Sequence, residues 1–194
     1  MNNFSCDMID AIKEYLKNHL KETRYQHCLA TAYCAEQLAI RWGVSPADAY
    51  LAGLCHDVAK GLSREESLAF LSDHKITLDE SAMANPALWH APIGAVLAQE
   101  LFGVENPEIL SAIRHHTIGA AAMTTLEKII FLADLVEPGR DFAGVFDLRQ
   151  LVQQDLDEAM AKALSLNLQF ITQKGGVSHP LAQEALAYYQ GIIK

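Results

Sequence analysis

The sequence predicts an all-α fold, a single helical bundle with a metal site at its centre. Apolar residues recur at three and four positions along almost the whole chain, and no segment alternates for long enough to suggest a sheet. Helix-start signatures then divide that pattern into elements: Thr23 with Gln26, Ser45 before Pro46, Ser63 with Glu66, and Asn106 before Pro107. Helices are expected over residues 7–20, 23–42, 46–57, 63–74, 92–102, 107–116, 125–137, 147–173 with a break, and 180–192. Gly and Pro punctuate the rest: loops are expected at Gly61, around Asn85 to Pro92, at Thr117 to Thr124, at Pro138 to Gly144 and at Lys174 to Pro180.

A chain of 194 residues fits one domain, taken here as residues 1–194, and is long enough to bury a core without staples. Hydrophobic residues make up 51% of it, which argues against disorder, and no apolar run approaches a membrane span. The opening residues lack a basic start followed by an apolar stretch, so the expected compartment is the cytosol. Cys6, Cys28, Cys34 and Cys55 form no CxxC pair and are expected to pack as free thiols, with thiolate ligation a minor alternative for Cys28 and Cys55 beside histidines. A net charge of −9 disfavours nucleic acid as a partner, yet leaves room for a small phosphate in a cleft with local cations.

Chemistry concentrates in a few residues. His56-Asp57 closes a helix (Ala49 to Cys55) that is apolar on every side, where an unpaired carboxylate would be costly. Asp134 interrupts the apolar run Lys128 to Val136 and poses the same problem. His27 shares a helix face with Ala30, Thr31, Cys34 and Leu38 and points inward. Two imidazoles and two carboxylates make a mixed nitrogen and oxygen set suited to a borderline metal, and one cation accounts for both acids at once. Plainer readings stay open: a buried His27 bonded to a carbonyl, an Asp57–Lys60 pair, an Asp134–Arg140 pair.

Helical spacing puts His116 on the buried side with Ile109 and Ile113, and turns His115 to solvent. His90, ahead of a helix expected to open on Pro92, is read as an ordinary loop residue, a phosphate contact, or a ligand with His116 to a second ion bridged by Asp57. Lys60 and Arg140 lie near loops where a cation can meet phosphate. His19 and His74 receive no role.

The order His27, His56-Asp57, Asp134 resembles the HD phosphohydrolase superfamily. The segments Cys55 to Lys60, Trp89 to Ala95, Ile113 to Gly119, Lys128 to Phe142 and His179-Pro180 narrow the resemblance to its bacterial YqeK-type branch. That branch implies an enzyme splitting diadenosine tetraphosphate symmetrically into two ADP, with one or two iron ions, for which manganese or cobalt could substitute. It implies His27, His56, Asp57 and Asp134 as metal ligands, with Asp57 and Lys60 catalytic. The phosphates would be surrounded by His27, Asp57, Val58, Ala59, Lys60, His90, His116, Thr117, Asp134 and Arg140. Val177, Ser178, His179, Pro180, Leu181 and Ala182 correspond to the branch's nucleoside-contacting stretch, although Ala182 stands where threonine is frequent. His115 and Ala143 likewise depart from a usual aromatic and a usual proline. Partners are thus a dinucleoside polyphosphate and its ADP product, with a homodimer also allowed for, and neither nucleic acid nor membrane. Two alternatives are an HD reaction on another nucleotide (a nucleoside monophosphate, cyclic nucleotide or alarmone) and a non-catalytic nucleotide sensor.

Overall fold

A computed structural model describes residues 5–193; residues 1–4 and 194 of the expected 1–194 domain lie outside the described residues. Among the described residues there are helices and turns and no strands. Helix α1 (Cys6–His19) starts on Ser5, whose hydroxyl accepts from the Met8 amide, and turns Ile12 and Leu16 inward. Helix α2 (Glu22–Trp42) begins at Lys21 without a side-chain cap, so the Thr23–Gln26 start signal was misplaced: Thr23 lies inside the first turn. Helix α3 (Pro46–Cys55), helix α4 (Arg64–Asp73) and helix α7 (Pro107–His115) do open on the expected Ser45, Ser63 and Asn106, with the full Ser63–Glu66 capping box in place.

Three further points differ from the sequence reading. The short helix α5 (Glu80–Ala84), capped by Asp79, occupies a stretch to which the sequence assigned no element, and a 3₁₀ turn at Pro86–Leu88 falls within the loop expected around Asn85 to Pro92. Both are too short to show helical periodicity. Helix α6 (His90–Phe102) starts two residues before Pro92, so His90 belongs to its first turn. Proline costs nothing there because the first-turn N–H groups have no intrahelical acceptor. Helix α8 (Thr125–Val136) carries a second capping box, Thr124–Glu127. The expected break in 147–173 separates α9 (Val145–Leu151) from α10 (Leu156–Gln173), where the Asp155 carboxylate caps two amides. Helix α11 (Pro180–Ile192) starts on His179.

Helix α2 packs on α3 and α8, and α7 packs on α3, α6 and α8, so the ends of these elements meet. One apolar core runs from Ile12 on α1 to Tyr189 on α11. Helices α3 and α8 are its centre: Leu51 to Cys55 and Ile129 to Ala133 are buried without a break. Cys28 and Cys55 are among these packing residues. No helix among the described residues is long and apolar enough to cross a membrane.

Gly53 sets the α2–α3 spacing. A Cβ there would sit 2.9 Å from the Ala32 Cα and 3.2 Å from the Thr31 carbonyl oxygen, backbone that cannot give way. Gly53→Ala is expected to cost about 1–3 kcal/mol of stability through overpacking, read by denaturant unfolding. A wild-type midpoint would show that the helices separate freely. Since Thr31 is one turn from His27 and Gly53 is three residues before His56, the same contact governs how close those imidazoles come.

Candidate metal centre and its pocket

The first turns of α2, the C-terminal end of α3, the start of α6, the end of α7 and the last turns of α8 deliver their polar side chains to one place. His27 Nε2 lies 3.2 Å from His56 Nε2 and 2.9 Å from Asp134 Oδ1. His56 Nε2 lies 3.5 Å from Asp57 Oδ2 and 3.8 Å from Asp134 Oδ1. Around a metal with bonds of about 2.1 Å, neighbouring donors stand roughly 3.0–3.4 Å apart, and His27, His56 and Asp134 form one group compact enough to share an ion, with Asp57 joined to it through His56. His56, Asp57 and His116 form a second group with donor atoms within 4.8 Å of one another. His90 joins it, its Nε2 lying 3.2 Å from Asp57 Oδ1 and 3.1 Å from His116 Nε2.

The outer nitrogens fix the tautomers. Nδ1 of His56 donates to the Gly53 carbonyl at 2.6 Å, and Nδ1 of His116 to the Ile113 carbonyl at 2.7 Å. Nδ1 of His27 donates to Glu137 Oε1 at 3.0 Å. Each ring therefore spends its proton outward and turns an Nε2 lone pair toward the centre. Two such lone pairs facing each other at 3.2 Å repel; a cation between them turns repulsion into ligation. The set contains imidazole and carboxylate without sulfur, since burial pushes the Cys55 thiol up to about 12 and the Cys28 thiol higher still. The residues present fit a borderline divalent metal.

His56 and Asp57 are buried to within 2% of completely, while the Asp134 side chain is 18% exposed. Burial alone would raise both carboxyls, but His56, His116 and His90 around Asp57, and His27, His56 and Arg140 around Asp134, hold both well below the usual carboxylate range. Burial pushes His56 and His90 down to about 4 from 6.5. Their neutral forms are favoured by folding, so the stability they contribute is full above about 6.5 and is lost as pH falls through that window toward 4, where the unfolded chain takes protons that the folded one refuses. In chelator, the thermal midpoint should fall steadily from pH 6.5 to pH 4; a midpoint independent of pH across this range would contradict the burial of these imidazoles.

The pairing of the charged groups corrects two expectations. Asp57 is bound by Arg24, at 2.8 Å from Nη1 to Oδ2, not by Lys60. The Lys60 ammonium instead sits against the His90 ring, 3.0 Å from Nδ1 and 3.2 Å from Nε2, and burial lowers its pKa. Arg140 does hold Asp134, through both carboxylate and backbone carbonyl, so the pairing that the shared-cation reading set aside is present beside it. His115 is not turned to solvent: it is half-buried and its Nδ1 bonds Glu127 Oε1 at 2.7 Å, drawing that carboxyl down to about 2. The Glu127 position, twelve residues on, gave no local signal for this.

A pocket of about 280 Å³ opens over the centre, walled by Arg24, Asp57, Lys60, His90, His116, Thr117, Asp134, Leu135, Arg140 and Asn167. Thr117 Oγ1 is buried there without a hydrogen-bond partner among the described residues. Val58 and Ala59, at 1% and 3% exposure, pack into the core beneath this wall. Val177 to Ala182 lies elsewhere: Val177 is exposed, Ala182 is buried, and His179 bonds Asp79 at 3.0 Å and caps α11 through the Leu181 amide. Ser178 accepts from Gln183, and none of the six walls the pocket.

Arg24, Glu137 and Asn167 were not singled out in the sequence. Arg24 precedes His27 by three residues and so shares its helix face. Glu137 follows Asp134 by three but is the C-cap just past α8, where helical spacing no longer fixes its direction. Glu137 is 3% exposed, accepts from His27 and from the Gly139 amide, and its carbonyl is held by Arg149.

The HD domain pattern matches residues 24–139. A symmetrical bis(5'-nucleosyl)-tetraphosphatase of Bacillus subtilis is 36% identical over 92% of this chain and 94% of its own length. The protein of the same description from Staphylococcus aureus is 31% identical over 93% and 94%. A crystal structure of an HD superfamily hydrolase from Clostridium acetobutylicum, described as involved in NAD metabolism, superposes with a TM-score of 0.91 at 36% identity, covering 94% of this chain and 97% of that one. A pattern spanning more than half of the chain, with full-length relatives whose architecture it shares, settles the lineage: this chain belongs to the HD domain family, in the branch of the symmetrical bis(5'-nucleosyl)-tetraphosphatases.

Proposed function

We propose that this protein, acting as one unit over residues 1–194, hydrolyses diadenosine tetraphosphate symmetrically to two ADP. In this reading a divalent metal, iron in the first instance with manganese or cobalt as substitutes, is held by His27, His56, Asp57 and Asp134. The observation that carries it is the set of three imidazoles anchored by Nδ1, with their Nε2 lone pairs converging on two carboxylates under a pocket rimmed by cations. When bound, the ion supplies Lewis acidity, lowering the pKa of water and polarising a phosphoryl oxygen.

The chain's own residues do the remainder. Arg24, Lys60 and Arg140 surround the pocket and offset the negative charge that grows on bridging and terminal phosphate oxygens. The unpartnered Thr117 hydroxyl is free to donate to one of those oxygens. His90, with the Lys60 ammonium beside its ring and Asp57 Oδ1 3.2 Å from its Nε2, stands at the pocket wall where it can contact a phosphate oxygen. A second ion would be held by His90 and His116 with Asp57 as the bridge, His56 standing within reach of the same group, and elemental analysis at one or two metals per chain decides. The stretch Val177 to Ala182 remains the proposed contact of one nucleoside.

Product chromatography after incubation with diadenosine tetraphosphate and ferrous iron tests the reading. ADP as the sole nucleotide product is expected. ATP plus AMP would overturn symmetrical cleavage; turnover confined to a nucleoside monophosphate, cyclic nucleotide or alarmone would move the enzyme to another substrate; binding without turnover would make it a sensor.

A further inference from the structure

The pocket over the metal residues is polar, about 280 Å³ and walled by Arg24, Lys60 and Arg140, so the phosphate chain these cations attract occupies it and leaves no space beside it for a nucleoside. A substrate with two nucleosides must therefore place both outside it. A second, more apolar pocket of about 470 Å³ adjoins the first and shares three walls with it: Leu135, Arg140 and Asn167. Its volume falls within the roughly 300–1,000 Å³ of small-molecule sites. Phe142, half-buried against the core, and Phe170, 58% exposed, line it, with Leu166 of α10. A large ring left that exposed at the mouth of an apolar cleft offers a face for stacking.

We propose that this pocket receives one nucleoside of the dinucleoside substrate, the one not held by Val177 to Ala182. Phe142 and Phe170 flank the base, and Asn167 and Arg140 stand where ribose passes into the phosphate chain. The inference rests on the tetraphosphatase reading and extends it to the second half of the substrate. Its basis is continuity: Arg140 reaches Asp134 at the metal centre and also walls the apolar pocket, so a chain of phosphates lying along Arg140 delivers its terminal nucleoside there. The Asn167 amide offers a donor and an acceptor at the junction. None of Val177 to Ala182 lines this pocket, which keeps the two nucleoside positions distinct.

The test compares diadenosine tetraphosphate with adenosine 5'-tetraphosphate, which has the same phosphate chain and a single nucleoside. Phe170→Ala is expected to lower kcat/KM for the dinucleoside about tenfold, the loss of one base stacking on an aromatic ring, and to leave the mononucleoside tetraphosphate unchanged. Leu166→Trp, which fills the pocket instead of opening it, should act in the same direction. Phe146→Ala, a 70% exposed ring outside the pocket, should change neither. Equal losses on both substrates, or no loss on either, would overturn the proposal. Should the wild type hydrolyse neither compound, the hydrolase reading fails by itself. The pocket is then judged by calorimetric Kd values: tighter binding of the dinucleoside that Phe170→Ala abolishes sustains it, and equal binding of the two ligands sinks it.

Discussion

Asp57→Ala is expected to abolish turnover and metal content together, with activity reduced on the order of 10³-fold or more because the residue belongs to a unit rather than acting alone. The Asp57 carboxylate touches both groups of the centre. Oδ2 lies 3.5 Å from His56 Nε2, and Oδ1 lies 3.2 Å from His90 Nε2 and 3.7 Å from His116 Nε2. Removing it would take one carboxylate from the proposed metal ligands and the link between the two groups, and would free Arg24. The side chain of Arg24 is 36% exposed and can turn to water, so the fold should survive the substitution. Asp57→Asn separates charge from shape: it keeps the volume and one acceptor oxygen, yet cannot offer an anion to the metal. Turnover assayed beside elemental analysis decides the matter. Wild-type activity in a metal-free Asp57→Ala protein would end the metal-hydrolysis account.

Glu137→Ala should weaken metal binding by about 10–100-fold, the usual consequence of losing the partner that orients a ligating histidine. Glu137 touches no proposed substrate position; it accepts the Nδ1 proton of His27, and the Gly139 amide locks its other oxygen at 2.5 Å. Without it, His27 can take the opposite tautomer and present a proton where a lone pair is needed. Glu137→Gln retains an oxygen that can accept the same proton, so partial recovery is expected. Competition with a fluorescent chelator measures both variants. Unchanged affinity in Glu137→Ala would show that packing alone holds the His27 ring.

Several features could be read along the chain because their causes are local. The capping residues Ser45, Ser63 and Asn106 act on amides two or three positions away, and the helices start where those bonds form. Burial of His116 follows from the inward face of α7 that it continues as its C-cap, and burial of His56 and Asp57 from their place just past α3, a helix apolar on every side, although the expected helix 46–57 ends at Cys55. The short α5 and the 3₁₀ turn were not legible, since five and three residues cannot display a period. The placement of Thr23 as a cap failed because the side chain can satisfy a first-turn amide only if the chain enters the helix there, and the chain enters at Lys21.

What the sequence alone determined is the inventory: an all-helical chain, two carboxylates too costly to bury unpaired, and imidazoles on inward faces. Which groups meet was decided by tertiary structure. Arg24 on Asp57, Lys60 on His90, Glu137 on His27 and His115 on Glu127 join residues 33, 30, 110 and 12 positions apart. Periodicity names the face a side chain occupies, but only the packing of α2, α3, α7 and α8 brings those faces to within 4 Å. At that distance Coulomb attraction and hydrogen bonding outweigh the cost of taking charge out of water.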